Sequence, residues 1–418
     1  MPSPSLALSN LKSFVIVIVL AVHSVLAYLG SLPAAAPPFD SPPYRWRTIP
    51  IVDSERWLGF DLFCAHQDVY LITLLFFLSG LFIWPSLTRK GAKLFVHDRL
   101  WRIGVPYALA IAFLIPVAVY PIYRATAADP SITAFWEHLR ALPFWYTGPP
   151  WFLWVLLLFG LAAATMFVFA RHWGETLGRW SARPWPYLIG VVSASALAYV
   201  PSALAFTPWE WGQIGPFALQ LSRPLHYAVY FFAGVGIGAG GIERGLMAAN
   251  GVLARRWVSW LVAAIALFGL WLGVTAVAMA GGGQSAGDAV VGVSLGLTLL
   301  QAMCFVLACA SNSMCLIALL LRFGNRRIVV LEPLRDNAYG MYLVHYVFVT
   351  WLQYLLLGTA IFAIAKGMIV FALTLVLSWA ATVAIRRIPA AARLIGTGGG
   401  GAGGDRGRAG ARVMPRTP

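Results

Sequence analysis

The chain has 418 residues, of which 60% are hydrophobic and only 11% charged, and a formal net charge of +15. Soluble domains carry about a quarter of charged residues, so the composition excludes a soluble fold and leaves no room for a separate soluble domain. The cations sit in short segments between apolar runs, with no basic domain to bind a duplex, which excludes nucleic acid as a partner.

Apolar runs near twenty residues recur along the whole length. Each can cross a hydrocarbon core of about 30 Å as a helix, and together they predict an all-α polytopic protein of about ten transmembrane helices. The first, 12–30, begins "KSFVIVIVLAVHSVLAYL", with Lys12 at its start and His23 near its middle. Eleven helical residues rise about 16 Å in about three turns, so both side chains share a face and His23 lies near mid-membrane. An imidazole there suits a general base near neutral pH or a hydrogen bond between helices. "LPAAAPP" follows and resembles a signal-peptide cleavage site, a reading opposed by the sparse basic start and the histidine inside the apolar core.

Residues 31–68, rich in proline and aromatics ("PYRWR", "ERWLGFDLFCAHQD"), predict a partly structured external cap. The second span, 69–86, contains "FFLSGLF", where Ser79-Gly80 allows close approach of a ligand or of another helix. "RLWR" opens the third span, 101–122. Arg99 and Arg102, three residues apart on one helix face, suit the phosphates of an anionic ligand, or simply anchor the span. The fourth, 151–170, starts in "GPPWFLW", a rigid turn with Trp151 at the interface.

Further spans are predicted at 186–206, 225–242, 257–280 and 289–310. The last runs on as apolar sequence to 321 around "SNS", which predicts one crossing with an interfacial or tilted extension. The ninth, 338–357, starts within "LRDNAYGMYLVHYVF". His345 lies about 13 Å above Asp336, again near mid-membrane, with Tyr342 on its face. The tenth is 360–385. Residues 386–418, rich in glycine and arginine, predict a disordered tail beside the anionic inner leaflet, leaving 1–385 as the membrane domain.

With alternate connections assigned to opposite sides, 23 of the 30 lysines and arginines share a side with both termini. The positive-inside rule makes that side the cytoplasm. Cys64, Cys304, Cys309 and Cys315 show no CxxC spacing and no clustered histidine, so neither a disulfide framework nor a metal site is expected. All fifteen acidic residues fall in predicted loops or at span ends, leaving His23 and His345 as the deep ionisable groups, supported by Gln301, Gln353 and Asn337. Coupled carriers often use buried carboxylates, so a secondary transporter or flippase of an anionic glycan or lipid precursor is the second reading. Acyl-CoA fits the pattern better, with its phosphates at the cytoplasmic cations and its thioester presented to the imidazoles above.

These motifs resemble those of the membrane acyltransferase-3 family, bacterial integral-membrane O-acyltransferases that modify envelope glycans. That family shows an arginine ten residues before a first-span histidine, a Ser-Gly-x-Phe ending the second span and an Arg-x-x-Arg entering the third. It also has a Trp-Phe-Leu start to the fourth and a late Tyr-x-x-His. Here stand Lys12–His23, Ser79-Gly80-Leu81-Phe82, Arg99–Arg102, Trp151-Phe152-Leu153 and Tyr342–His345, and the likeness runs from residue 11 to about 385. Lys12 replaces the usual arginine, keeping the charge but losing the bidentate fork, and Pro150 stands where many members carry a polar residue.

The resemblance implies a multi-pass enzyme of the bacterial inner membrane. It would move an acetyl or succinyl group from cytoplasmic acetyl-CoA or succinyl-CoA to a hydroxyl of an extracytoplasmic or lipid-linked glycan. His23 would be the general base, with His345 beside it in the catalytic pair. Lys12, Arg99 and Arg102 would hold the CoA phosphates, and Ser79, Tyr342 and Trp151 would position substrate. The long external loop and the lack of an esterase-like domain look most like the periplasmic-glucan succinyltransferase branch. Acceptor recognition would then fall to this chain or to a separate partner.

Overall fold

Helix occupies all ten predicted positions in the computed structural model, which describes residues 6–208, 210–282 and 294–395. Helix α1 (Leu6–Val25) leads into a cap formed by residues 26–57. Helix α2 (Leu58–Gly80) runs back and continues after a short break as α3 (Ile83–Lys90). Gly91, at φ 76°, makes the turn into the third span, a left-handed conformation that favours glycine. That span strings together α4 (Ala92–Arg99), a π-helical turn (Leu100–Gly104), α5 (Val105–Leu109), a second π turn (Ala110–Leu114) and α6 (Ile115–Arg124).

After α7 (Ile132–Ala141) come α8 (Trp151–Phe169), α9 (Arg171–Ser181) and α10 (Pro184–Ala205). A two-stranded antiparallel hairpin follows, β1 (Trp211–Ile214) pairing with β2 (Phe217–Gln220). The chain ends through α11 (Pro224–Gly240), α12 (Val252–Arg255), α13 (Trp257–Gly282), α14 (Leu295–Phe323), α15 (Glu332–Leu355), α16 (Ala363–Arg386) and α17 (Pro389–Ile395). Among the described residues, eight helical stretches are long and apolar enough to cross a bilayer. The two remaining predicted spans are α11, 17 residues long, and α15, whose first turns are polar.

Prolines and glycines, usually breakers of helices, here make the joints between them. Pro106 has no N–H to offer the carbonyl of Arg102, four residues back, and the Tyr339 hydroxyl donates to that carbonyl instead, at 2.7 Å. Pro121 likewise frees the carbonyl of Val117, which accepts from the Trp351 indole at 3.0 Å. Two backbone acceptors that would be unpaired in lipid are thus satisfied by α15, fixing it along the third span. Helices α2 and α11 cross at glycines. A Cβ at Gly80 would meet the Phe231 carbonyl oxygen at 2.1 Å, and one at Gly234 the Phe77 oxygen at 2.2 Å. This contact is therefore set by backbone against backbone, as small residues allow in membranes.

The cap has its own hydrophobic cluster. Trp46, buried, stacks on Phe39 at 4.6 Å and donates its indole N–H to the Phe39 carbonyl. Asp53 and Lys366, both fully buried, pair at 2.8 Å and bind the cap to the start of α16. At the opposite end of the bundle, Asn10 donates to the carbonyls of Gly324 and Arg326 and accepts from Arg335. The start of α1, the end of α14 and the start of α15 thus meet, as alternating spans require.

Several predicted boundaries move. The external segment loses residues 58–68 to α2, whose first-turn Asp61 accepts from the Gly30 amide (2.6 Å) and the Ser31 amide (3.1 Å). Asp68 consequently lies ten residues inside a helix, which corrects the expectation that no carboxylate is deep. Its charge is offset by Arg223, which donates to both carboxylate oxygens at 2.9 and 2.6 Å. Residues 295–323 form one continuous helix, with Ser311, Asn312 and Ser313 buried within it, in agreement with one crossing that runs on past residue 310. The predicted tail begins as helix, through Arg386 and α17. Its residues 396–418, and residues 289–293 of the eighth predicted span, lie outside the described residues.

Candidate active site

His23 and His345 come together from opposite ends of the chain, their ring centroids 5.0 Å apart and their planes at 66°. Packing of α15 against α1 makes this possible. Gln353, fully buried on α15, donates to the carbonyls of His23 (2.9 Å) and Ser24 (3.1 Å). These carbonyls lie in the last turn of α1, where intrahelical partners run out.

Each imidazole is held by its own helix. His23 Nδ1 lies 2.8 Å from the Val19 carbonyl and His345 Nδ1 lies 2.7 Å from the Tyr342 carbonyl. A carbonyl only accepts, so the ring proton sits on Nδ1 in both and each Nε2 keeps its lone pair. The Nε2 of His345 is buried and has no partner. His23 is half-buried, whereas His345 is almost wholly enclosed.

Tyr346 stands edge-on to His23, 5.9 Å between centroids, and its hydroxyl meets that of Tyr146 at 3.1 Å. Tyr146 donates to the Arg47 carbonyl in the cap at 3.1 Å, so Tyr346 is the donor between the two phenols. The imidazole pair is thereby linked through two tyrosines to residues 45–47.

Toward the other end of α1, Lys12 Nζ lies 3.5 Å from the centre of the Phe82 ring and near enough to Arg99 for the two charges to interact. Arg99 packs over Phe95 at 5.0 Å. Arg102 falls in the first π turn, close enough to Arg99 for the two charges to interact. It is exposed, whereas Arg99 is partly covered. Asp98, the carboxylate beside them in sequence, is paired with Lys90.

The other predicted site residues lie differently. Tyr342 packs 5.8 Å from His345, but its hydroxyl donates to the Pro149 carbonyl at 2.5 Å, so it fixes the "GPPW" turn rather than binding a ring nitrogen. Ser79 donates to the Leu75 carbonyl of its own helix. Trp151 sits against Trp211 and Tyr227 at 5.6 and 6.1 Å, toward the hairpin. Gln301 donates to Thr275, and Asn337 to the Pro333 carbonyl.

Sequence reasoning missed Tyr146, Tyr346 and Arg47. Tyr346 adjoins His345 and could have been weighed with it. Tyr146 and Arg47 approach only through the folding of two loops. His66 and His226 also lie within helices, on α2 and α11, where His23 and His345 alone were expected; Arg223 and Lys366 are buried at the starts of α11 and α16. His226 contacts Ser195 at 2.7 Å and the buried Cys309 at 3.4 Å.

The geometry joins two basic nitrogens inside the bundle to cations at one end and a cap at the other. Comparison with known families agrees with such chemistry: the acyltransferase-3 family, described as an acyltransferase domain, matches residues 6–383. No match was found among curated proteins or among solved structures. The family match runs from the first residue of α1 nearly to the end of α16, so the chain belongs to the acyltransferase-3 family and is a membrane-embedded acyltransferase.

Proposed function

We propose that the protein transfers an acyl group, acetyl or succinyl, from cytoplasmic acyl-CoA to a hydroxyl of an extracytoplasmic or lipid-linked glycan, in the inner membrane of a bacterium. The observation that carries this reading is the pair of imidazoles with Nδ1 fixed to backbone and the buried Nε2 of His345 unpartnered, between a cationic end and a capped end. In such a site His23 Nε2 takes the proton of the acceptor hydroxyl as its oxygen attacks the thioester carbonyl. The tetrahedral intermediate collapses, the carbon–sulfur bond breaks, and the proton passes from His23 to the departing CoA thiolate. The Nδ1 hydrogen bond to Val19 keeps the ring in one tautomer and one orientation through the cycle.

Lys12 and Arg99, with Arg102 at the rim, supply positive charge for the CoA phosphates. His345 and Tyr342 shape the space around the thioester, and the residues toward the cap face the acceptor. Purified protein in detergent, given radiolabelled acetyl-CoA or succinyl-CoA and envelope glycan, tests this directly. Label should appear in the glycan, with slow hydrolysis of the thioester when acceptor is omitted. A transporter would leave the thioester untouched under both conditions. Mass spectrometry of glycans from cells with and without the gene then identifies the acyl group and the sugar.

A further inference from the structure

The "PYRWR" segment has no part in the mechanism above, yet two tyrosines link it to the imidazole pair. Residues Arg45–Arg47 form a single 3-10 turn. Trp46 anchors that turn in the cap cluster through its stack on Phe39. Arg47 projects from it half-buried, its guanidinium carbon 4.5 Å from the centre of the Phe144 ring. Its own carbonyl is the acceptor for Tyr146, whose hydroxyl meets Tyr346 next to His23.

Three other shielded cations on this side of the bundle have oxygen partners. Lys366 has Asp53, and Arg223 has Asp68. Arg56 donates to the carbonyls of Asp53, Leu32 and Pro33. Among the described residues no carboxylate pairs with Arg47; its guanidinium has the Phe144 ring on one face and keeps its fork of N–H donors free. Partly burying a cation without a counter-charge is costly, and a guanidinium stacked on an aromatic ring is already oriented for bidentate pairing with an oxyanion.

We infer that Arg47 is a specificity-determining residue, pairing with an anionic group, carboxylate or phosphate, that a substrate presents on the cap side of His23. The inference rests on the acyl-transfer reading above. The anion belongs either to the far end of the acyl group or to the acceptor glycan, and one set of measurements separates these sources.

Wild type, Arg47→Gln and Arg47→Lys are compared with acetyl-CoA or succinyl-CoA as donor and a neutral or a glucuronate-bearing oligosaccharide as acceptor. Arg47→Gln should lower kcat/KM about tenfold or more for pairs that carry the recognised anion and less than twofold for the rest. Arg47→Lys should recover part of the loss. A loss that follows succinyl-CoA whatever the acceptor assigns the anion to the acyl group; one that follows the acidic glycan assigns it to the acceptor. An equal loss in all four pairs, or no loss in any, overturns the inference. If wild type transfers nothing, the acyl-transfer reading fails separately. Protection of detergent-purified protein against heating by succinate or glucuronate then decides on Arg47. Protection present in wild type and lost in Arg47→Gln supports it; protection equal in both proteins, or absent from both, overturns it.

Discussion

Buried histidines occur in two kinds of surroundings in this bundle. His66 and His226 are saturated: His66 contacts Asn312 and Gln67, each at 2.9 Å, and His226 contacts Ser195 and Cys309. The Asp68–Arg223 pair beside them is bidentate. His23 and His345 each spend one nitrogen on backbone and leave the other without a protein partner. Both surroundings are polar islands in an apolar protein, so polarity alone does not distinguish structure from chemistry. Unspent hydrogen-bonding capacity does not do so alone, since Arg223 Nε and Tyr230 Oη near His226 are also buried without partners; what sets His23 and His345 apart is the meeting of two imidazoles that bond their own backbone.

The sharpest way to break this comparison is to exchange the fates of the two kinds. His23→Ala should lower transfer by about 10²–10⁴-fold at equal membrane abundance, with the unfolding midpoint nearly unchanged. If more than about a tenth of the activity survives, the free lone pair was not the base and the role moves to His345. His226→Ala should do the reverse. Stripping Ser195 and Cys309 of their partner should cost about 1–3 kcal/mol of stability while leaving turnover per folded molecule near wild type. A folded but inactive His226 variant would mean that saturation is a poor guide here.

The cationic end gives a third, smaller test. Arg99→Ala should raise the KM for acyl-CoA roughly tenfold with little change in kcat, and added salt should weaken donor binding further. Steady-state kinetics at two ionic strengths would show it; an unchanged donor KM reduces Arg99 to an anchor. The smallest effect is expected at Tyr146→Phe, which removes the donor to the Arg47 carbonyl and loosens the Tyr346 contact. A roughly two- to tenfold loss of kcat is expected, with no change in the donor KM. A shift in donor KM alone would place Tyr146 on the wrong side of the site.

Much of this was legible before the structure. Runs of apolar residues located the helices, and counting turns from Lys12 and from Asp336 placed His23 and His345 at matching depths. Their 5.0 Å approach was not readable, because it depends on α1 packing against α15 through Gln353, 330 residues from His23. The start of α2 was misplaced because Asp61 and Asp68 interrupt the apolar run, and Arg223, which offsets Asp68, is 155 residues away. The different exposure of Arg99 and Arg102 was hidden for a local reason. Pro106 was visible, but the π turn before it and the Tyr339 hydroxyl that takes up its freed carbonyl were not.

Those π turns also bear on changes in chain length. A π turn is in effect one extra residue held within a helix, and the third span contains two. Deleting one residue between 100 and 104 would let ordinary winding resume. The i→i+5 bond of the π turn would become an ordinary i→i+4 bond around one residue fewer, so the segments on either side would keep nearly their present angle and separation. Such a deletion alters no side chain at the His23–His345 pair and leaves Arg99 beside Lys12. The span can thus lose a single residue at either π turn without rotating its cationic end, so the angle between donor grip and imidazole pair is insulated from such changes in chain length.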